Sequence, residues 1–337
     1  MKKKNIALIV LIVLGAALIG AALGIVYSSP NRDNPIDTAV SDFFYVTESE
    51  QGIGHKIMGI ITYLGESIIY IALLVILYYV WDKKKAYRII VTLVSSMTVN
   101  AVTKVGFGFD RPDDSFGYDP VDKITYGLPS GHAQLSTTVW GTLAASVAKW
   151  GMITVGIALP LLIGFSRIYL VVHWFTDVLM GFGIGMLVVG IFILVEKPVG
   201  NFLDKQSIII KILVALLVFA VFALPIIFLH EGSSNPDEFK QKIRILKTLV
   251  LFTTASISYA LEGKLVGFNS RADKWWKYIL RILLVAIPIG VIYVYDQILT
   301  DDMALEALKI SLDMVVYALM GPILFLLVPW IVKKLNL

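Results

Sequence analysis

Eight residues of types suited to phosphoryl transfer fall in three short blocks of this 337-residue chain: Lys104-x6-Arg111-Pro112, Pro129-Ser130-Gly131-His132 and Ser166-Arg167-x5-His173-x3-Asp177. A phosphoryl group leaving an alcohol spreads negative charge over three oxygens, and a protein accelerates the reaction mainly by holding and neutralising them. Lys104 offers a point charge; Arg111 and Arg167 offer planar forks that match phosphate oxygens. Pro129-Ser130-Gly131 stands just ahead of an apolar run beginning near His132. That places free backbone N–H groups at a helix N-terminus, with Gly131 permitting close approach and the Ser130 hydroxyl adding a donor. His173 and Asp177 are four apart and share a helical face, so the carboxylate fixes the tautomer of His173 and leaves its other nitrogen free to attack phosphorus. His132 then serves as acid for the leaving oxygen and base for water. The cations remove the need for a metal, the sequence offers no metal-ligand cluster, and no cofactor is expected.

The elements that must position these residues are membrane helices. With 57% hydrophobic residues, 16% charged residues and a mean hydropathy of +0.79, the chain is too apolar for a soluble domain. The absence of cysteine excludes disulfides and thiolate chemistry. The net charge of +4 comes without a basic block long enough for nucleic acid. Apolar runs lie near residues 6–27, 57–81, 86–106, 132–148, 152–168 and 173–195, and, after a polar break, near 208–229, 243–262, 279–295 and 308–332. The expected fold is all-α: a polytopic transmembrane bundle of ten spans, with a phosphatase domain over 1–200 and a C-terminal transmembrane extension over 201–337. The first run, behind Lys2-Lys3-Lys4, has the length of an uncleaved anchor. Residues 36–46, led by Pro35, suit a short interfacial helix.

Cytoplasmic loops collect Lys and Arg. Lys2 to Lys4, Lys83 to Lys85 with Arg88, Lys149, Lys197 with Lys205 and Lys211, Lys264 to Arg281, and Lys333 with Lys334 occupy alternate ends of the spans. The intervening loops are acidic, with Asp33, Asp37, Asp42, Glu48 and Glu50 in the first and Asp296, Asp301, Asp302 and Glu306 in the last. The pattern predicts a plasma or inner membrane protein with both termini cytoplasmic and the three blocks on the extracytoplasmic side. Lys240 to Lys247 departs from it and suggests a helix end facing lipid phosphates.

In combination and order, the three blocks resemble the signature of the type-2 phosphatidate phosphatase superfamily, which also contains bacterial acid phosphatases and vanadium haloperoxidases. The resemblance covers roughly residues 55–195. It implies a six-helix catalytic unit and a phosphohistidine intermediate on His173. It also implies His132 as the acid, with phosphate bound by Lys104, Arg111, Ser130, Gly131 and Arg167. About four C-terminal helices lie beyond the minimal family pattern. A site at the membrane surface favours a lipid phosphate as substrate: phosphatidate, phosphatidylglycerophosphate or a polyprenyl (di)phosphate. A lipid phosphotransferase using the same phosphohistidine is the alternative, as is a lipid-translocating or partner-binding C-terminal module regulated by the phosphatase core.

Other residues invite plainer readings. Arg111 and Lys104 could snorkel to the interface, and Ser130 could simply cap its helix. Glu66 and Asp313 lie inside apolar runs, where an ionisable group is costly, but neither has an evident partner in sequence. His55 and His230 are most simply solvated. The acidic run Asp110, Asp113, Asp114, Asp119 and Asp122 leaves no obvious room for a second phosphate. Gly181, Gly183 and Gly185 suit close helix packing, and Trp275-Trp276 an interfacial belt.

Overall fold

The computed structural model describes residues 2–29, 34–46, 52–112, 126–229, 236–298 and 306–337. Among these, regular structure is entirely helical. The helices are α1 (Lys2–Val26), α2 (Pro35–Phe44), α3 (Ile53–Tyr63), α4 (Ser67–Val80), α5 (Lys83–Phe107), α6 (Gly131–Val147), α7 (Trp150–Tyr169), α8 (Phe175–Asp204), α9 (Ile208–Leu229), α10 (Pro236–Leu265), α11 (Trp275–Ile298), α12 (Glu306–Pro322), a π-helical turn at Ile323–Leu327, and α13 (Val328–Lys334). Glu48, Glu50, Asp113, Asp114, Asp119, Asp122, His230, Asp301 and Asp302 lie outside the described residues.

Among the described residues eight helices are long and apolar enough to cross a membrane, or nine if α3 and α4, separated by Leu64-Gly65-Glu66, cross together. Of the ten spans expected from sequence, α6 is the one outside that set: its 17 residues stand at the short end of the range that crosses a bilayer, and its Thr137, Thr138, Thr142, Gln134 and Ser136 are buried in protein, not facing lipid. Side chains such as Ile6, Val13, Leu217, Val221 and Leu283 stay exposed, an apolar surface that only lipid removes from water. The chain is a multi-pass integral membrane protein.

Two compact units divide the chain. The first comprises Met1–Tyr70 and Ser95–Val199, the second Ile71–Val94 and Gly200–Leu337. In the first, α6 packs on α7, and α2 and α3 also pack on α7. The glycines of α8 permit close approach: a Cβ at Gly181 would lie 2.6 Å from Ser130 O, one at Gly185 2.7 Å from Thr137 Cβ, and one at Gly183 2.8 Å from Gly15 O of α1. His55 is buried and its ring lies 5.0 Å from that of Tyr169, so the solvated position expected for it is wrong. An imidazole on a helix face turned inward packs as an aromatic.

In the second unit α10 packs on α9 and α12. Residues 71–94 group here, although the sequence placed them with the phosphatase domain, because Tyr78 and Tyr79 pack into a core with Phe268, Phe325 and Val328. Lys83 meets the fully buried Glu262 at 2.8 Å. Asp313 has a partner that the sequence did not reveal: Lys247 Nζ lies 3.0 Å from its Oδ2, and the Tyr295 hydroxyl donates to Oδ1 at 3.0 Å. Lys247 is therefore a half-buried charge paired within the helices, which accounts for part of the basic cluster that broke the loop pattern. Trp275 and Trp276 are exposed, as an interfacial belt requires.

Candidate active site

Helix ends deliver the three blocks. Gly108, at φ +61°, terminates α5 by donating to Lys104 O at 2.9 Å, so Lys104 rides in the last turn. It is only 4% exposed and donates to the Tyr126 carbonyl, which rules out the snorkelling anchor. Asn100, one turn earlier, donates to Gln134 Oε1 at 2.9 Å and to Pro129 O at 3.3 Å, and Gln134 Nε2 donates to Ser96 O at 2.8 Å. This buried amide network ties the end of α5 to the start of α6, and thereby the first block to the second.

The third block is a helix end joined to a helix start by the short turn 170–174. Leu170 N donates to Ser166 O at 3.0 Å and Val172 N to Arg167 O at 3.2 Å, a capping pattern that closes α7 over Arg167. It requires Val171 at φ +51°, a region costly for a β-branched residue by about 1–3 kcal/mol. His173 follows two residues later, and α8 begins at Phe175. Asp177 Oδ2 lies 3.1 Å from His173 Nδ1 and accepts from Trp174 N at 3.1 Å.

Backbone bonds then draw the blocks together. Ser130 N donates to Asp177 O at 2.9 Å, Arg111 Nη1 to Val172 O at 3.3 Å, and Trp174 Nε1 to Asp110 O at 3.2 Å. Arg167 is 1% exposed and its Nη1 donates to Thr62 Oγ1 of α3 at 2.7 Å. Burial, together with the positive charges of Arg111, Arg167 and Lys104, holds the His173 imidazole well below its usual pKa. All eight sequence-predicted residues lie at one end of α5, α6, α7 and α8.

Three buried polar atoms here have no hydrogen-bond partner among the described residues: Ser130 Oγ, His132 Nε2 and Arg167 Nε. Ser130 occupies the N-cap position of α6 but makes no capping bond, so its hydroxyl is not used by its own helix. Each unsatisfied group costs about 1–3 kcal/mol. An oxyanion placed among them would supply the acceptors they lack. His132 Nε2 also lies 3.2 Å from Glu66 Oε1, close but without hydrogen-bond alignment. Gly65 makes this approach possible, since a Cβ there would lie 2.6 Å from His132 Cδ2 and 2.7 Å from Ile163 Cγ2.

Sequence reasoning undervalued several residues. Glu66 was visible as a carboxylate in an apolar run, but its neighbour is set by the break between α3 and α4. Asn100, Gln134 and Thr62 look like ordinary polar helix residues, and only the packing gives them partners. Asp37, taken for a solvated loop charge, is fully buried. It accepts from Thr176 N at 3.0 Å and from the Thr176 hydroxyl at 2.7 Å, at the first turn of α8. Asn34-Pro35-x-Asp37 is a helix-start pattern that could have flagged it.

Residues 85–199 match the family model described as PAP2 superfamily, and residues 246–337 match the one described as PAP2 superfamily phosphatase, transmembrane extension. Phosphatidylglycerophosphatase B of Bacillus subtilis is 30% identical over 151 residues, which are 40% of this chain and 70% of that protein. The chain belongs to the PAP2 superfamily. The first PAP2 match contains all eight site residues and the second contains Lys247, Tyr295 and Asp313. An undecaprenyl-diphosphatase of Sulfolobus acidocaldarius is 31% identical over 109 residues, 31% of this chain and 51% of that protein, so this chain spans about half of that relative's length. A crystal structure of a transmembrane PAP2 type phosphatidylglycerolphosphate phosphatase from Bacillus subtilis aligns with a TM-score of 0.46 at 24% identity, over 55% of this chain and 96% of that one.

Proposed function

We propose that this PAP2 protein is a metal-independent phosphatase that hydrolyses the phosphate ester or diphosphate of a membrane lipid through a phosphohistidine on His173. The observation that supports this most is the buried His173–Asp177 pair beside Lys104, Arg111 and Arg167, together with three unpartnered polar atoms. In the first step His173 Nε2 attacks phosphorus, the bond to the leaving oxygen breaks, and His132 gives that oxygen a proton. Lys104, Arg111, Arg167, Ser130 and the N-terminus of α6 hold the phosphoryl oxygens. In the second step His132 takes a proton from water, the oxygen attacks phosphorus, the N–P bond breaks and inorganic phosphate leaves. Glu66 Oε1, 3.2 Å from His132 Nε2, is placed to orient the imidazole that passes the proton, which gives Glu66 a part in the reaction.

The same reading places the site at the extracytoplasmic face. Lys149 and Lys197 lie toward the opposite ends of the helices that carry Arg167 and Asp177, and lysine-bearing ends favour the cytoplasm. The relatives named above support phosphatidylglycerophosphate and a polyprenyl diphosphate as substrate classes. The division into a phosphatase domain over 1–200 and an extension over 201–337 remains part of the proposal.

The test is release of inorganic phosphate from radiolabelled phosphatidylglycerophosphate, phosphatidate and undecaprenyl diphosphate by the purified chain in detergent, with EDTA present. Hydrolysis that survives EDTA and is blocked by vanadate, a mimic of five-coordinate phosphorus, supports the reading. Activity abolished by EDTA and restored by magnesium refutes it. Label appearing in a second lipid, without free phosphate, makes the protein a transferase.

A further inference from the structure

Asp37 belongs to α2, a ten-residue helix outside the three blocks, yet its carboxylate is fully buried. Its oxygens take three side-chain and backbone donors from Asn34 and Thr176. Oδ1 accepts from Thr176 N at 3.0 Å, while Oδ2 accepts from Thr176 Oγ1 at 2.7 Å and from Asn34 Nδ2 at 2.8 Å. A carboxylate withdrawn from water is expensive unless positive charge faces it. Here that charge is the partial positive charge at the N-terminal end of α8, whose Thr176 N–H points at the carboxylate.

The first turn of α8 thus holds two carboxylates with different tasks. Thr176 binds Asp37, and the next residue, Asp177, binds His173 Nδ1 and Trp174 N through one oxygen, each at 3.1 Å. Those distances lie near the long end of a useful hydrogen bond, so a displacement of a few tenths of an ångström weakens both. Because the two residues are consecutive, whatever fixes the backbone of Thr176 also fixes where Asp177 starts. Phe44 of the same α2 packs on Phe165 and Tyr169 of α7, with ring centroids 5.7 and 5.4 Å apart, so α2 itself is anchored.

We propose that Asp37 is a positioning residue for phosphoryl transfer: it holds the first turn of α8 so that Asp177 keeps His173 aimed at phosphorus. This rests on the phosphohistidine reading above. The chemistry at Asp37 requires a carboxylate. Three donors converge on two oxygens, and an asparagine amide turns its NH2 toward either the Thr176 N–H or the Asn34 amide.

The experiment measures lipid phosphate hydrolysis and the rapid-quench burst of acid-labile phosphoenzyme for the full-length chain and for Asp37→Asn, Thr176→Val, Thr176→Ser, Asp177→Asn and Asp37→Asn/Asp177→Asn. Asp37→Asn and Thr176→Val are expected to lower kcat and the burst rate by about 10–100-fold, the scale seen when groups that orient a first-shell ligand are removed. KM should stay nearly constant, and Thr176→Ser, which keeps the hydroxyl, should restore the rate. The double variant should be no slower than Asp177→Asn, because Asp37 acts through Asp177. Should the penalties of Asp37→Asn and Asp177→Asn multiply, or should both Asp37→Asn and Thr176→Val keep full kcat, the proposal is overturned. If Asp37→Asn does not fold, the Thr176 pair decides: Val as fast as Ser overturns it. An unimpaired Asp177→Asn, with no burst in any protein, would instead defeat the phosphohistidine reading.

Discussion

In the unit formed by residues 71–94 and 200–337, buried charge is matched by opposite charge or by carbonyl oxygen. Glu262 meets Lys83 and the Phe268 N–H, Asp313 meets Lys247 and Tyr295, and Arg281 donates to the carbonyls of Tyr79, Ser270 and Leu337. Around His173 in the other unit, three cations accompany the buried His173–Asp177 pair, and Ser130 Oγ, His132 Nε2 and Arg167 Nε make no hydrogen bond among the described residues. The charges of the first group face protein partners, although Arg281 Nε and the Tyr78 hydroxyl have none among the described residues. In the second an anion would supply the missing acceptors, and on the proposed reading this difference separates charge that builds the protein from charge that works on a substrate.

The sharpest way to break this comparison is His173→Ala, which should reduce phosphate release to background while detergent-extracted helicity by circular dichroism stays unchanged. His132→Ala should follow with a loss of about 10²–10⁴-fold in kcat, the usual share of a general acid, with phosphoenzyme formation slowed in the quench assay. The opposite signature is expected from the paired unit. Asp313→Leu leaves Lys247 without its carboxylate and should destabilise by about 3–5 kcal/mol, read as a lowered Tm, whereas Lys247→Met/Asp313→Leu should recover most of it. Per folded molecule, phosphatase activity of that double variant should equal that of the parent.

The smallest effect concerns pH. Burial and neighbouring cations hold His173 below the ordinary value of 6.5, so its neutral, nucleophilic form persists into mildly acidic solution. The acid limb of kcat/KM should therefore lie below pH 6.5, with activity lost only as pH falls through the lowered value. Arg111→Gln removes one repelling charge, so the limb should move to higher pH. A limb that stays in place would mean that Arg111 acts on phosphate alone.

The comparison also explains what could be read without coordinates. The blocks around Lys104, His132 and His173 were legible because phosphate chemistry demands rare residue types at fixed spacing, and long apolar runs gave the helices. The polar, protein-covered character of α6 was not legible, since a run of this kind reports burial and does not say whether lipid or protein covers it. Asp37 and Glu66 were missed or undervalued for a related reason. A single carboxylate acquires its meaning from a partner over 100 residues away in the first case and 66 residues away in the second, and one sequence holds no record of such pairings. The pairing of Asp313 with Lys247 went unseen in the same way.

Val171, at φ +51°, sits in the five-residue turn 170–174 that carries the chain from α7 to α8. The guanidinium of Arg167 and the imidazole of His173 are consequently spaced by a short length of chain, as the jaws of a gauge are set by its frame, and adding or removing a single residue there would turn one relative to the other.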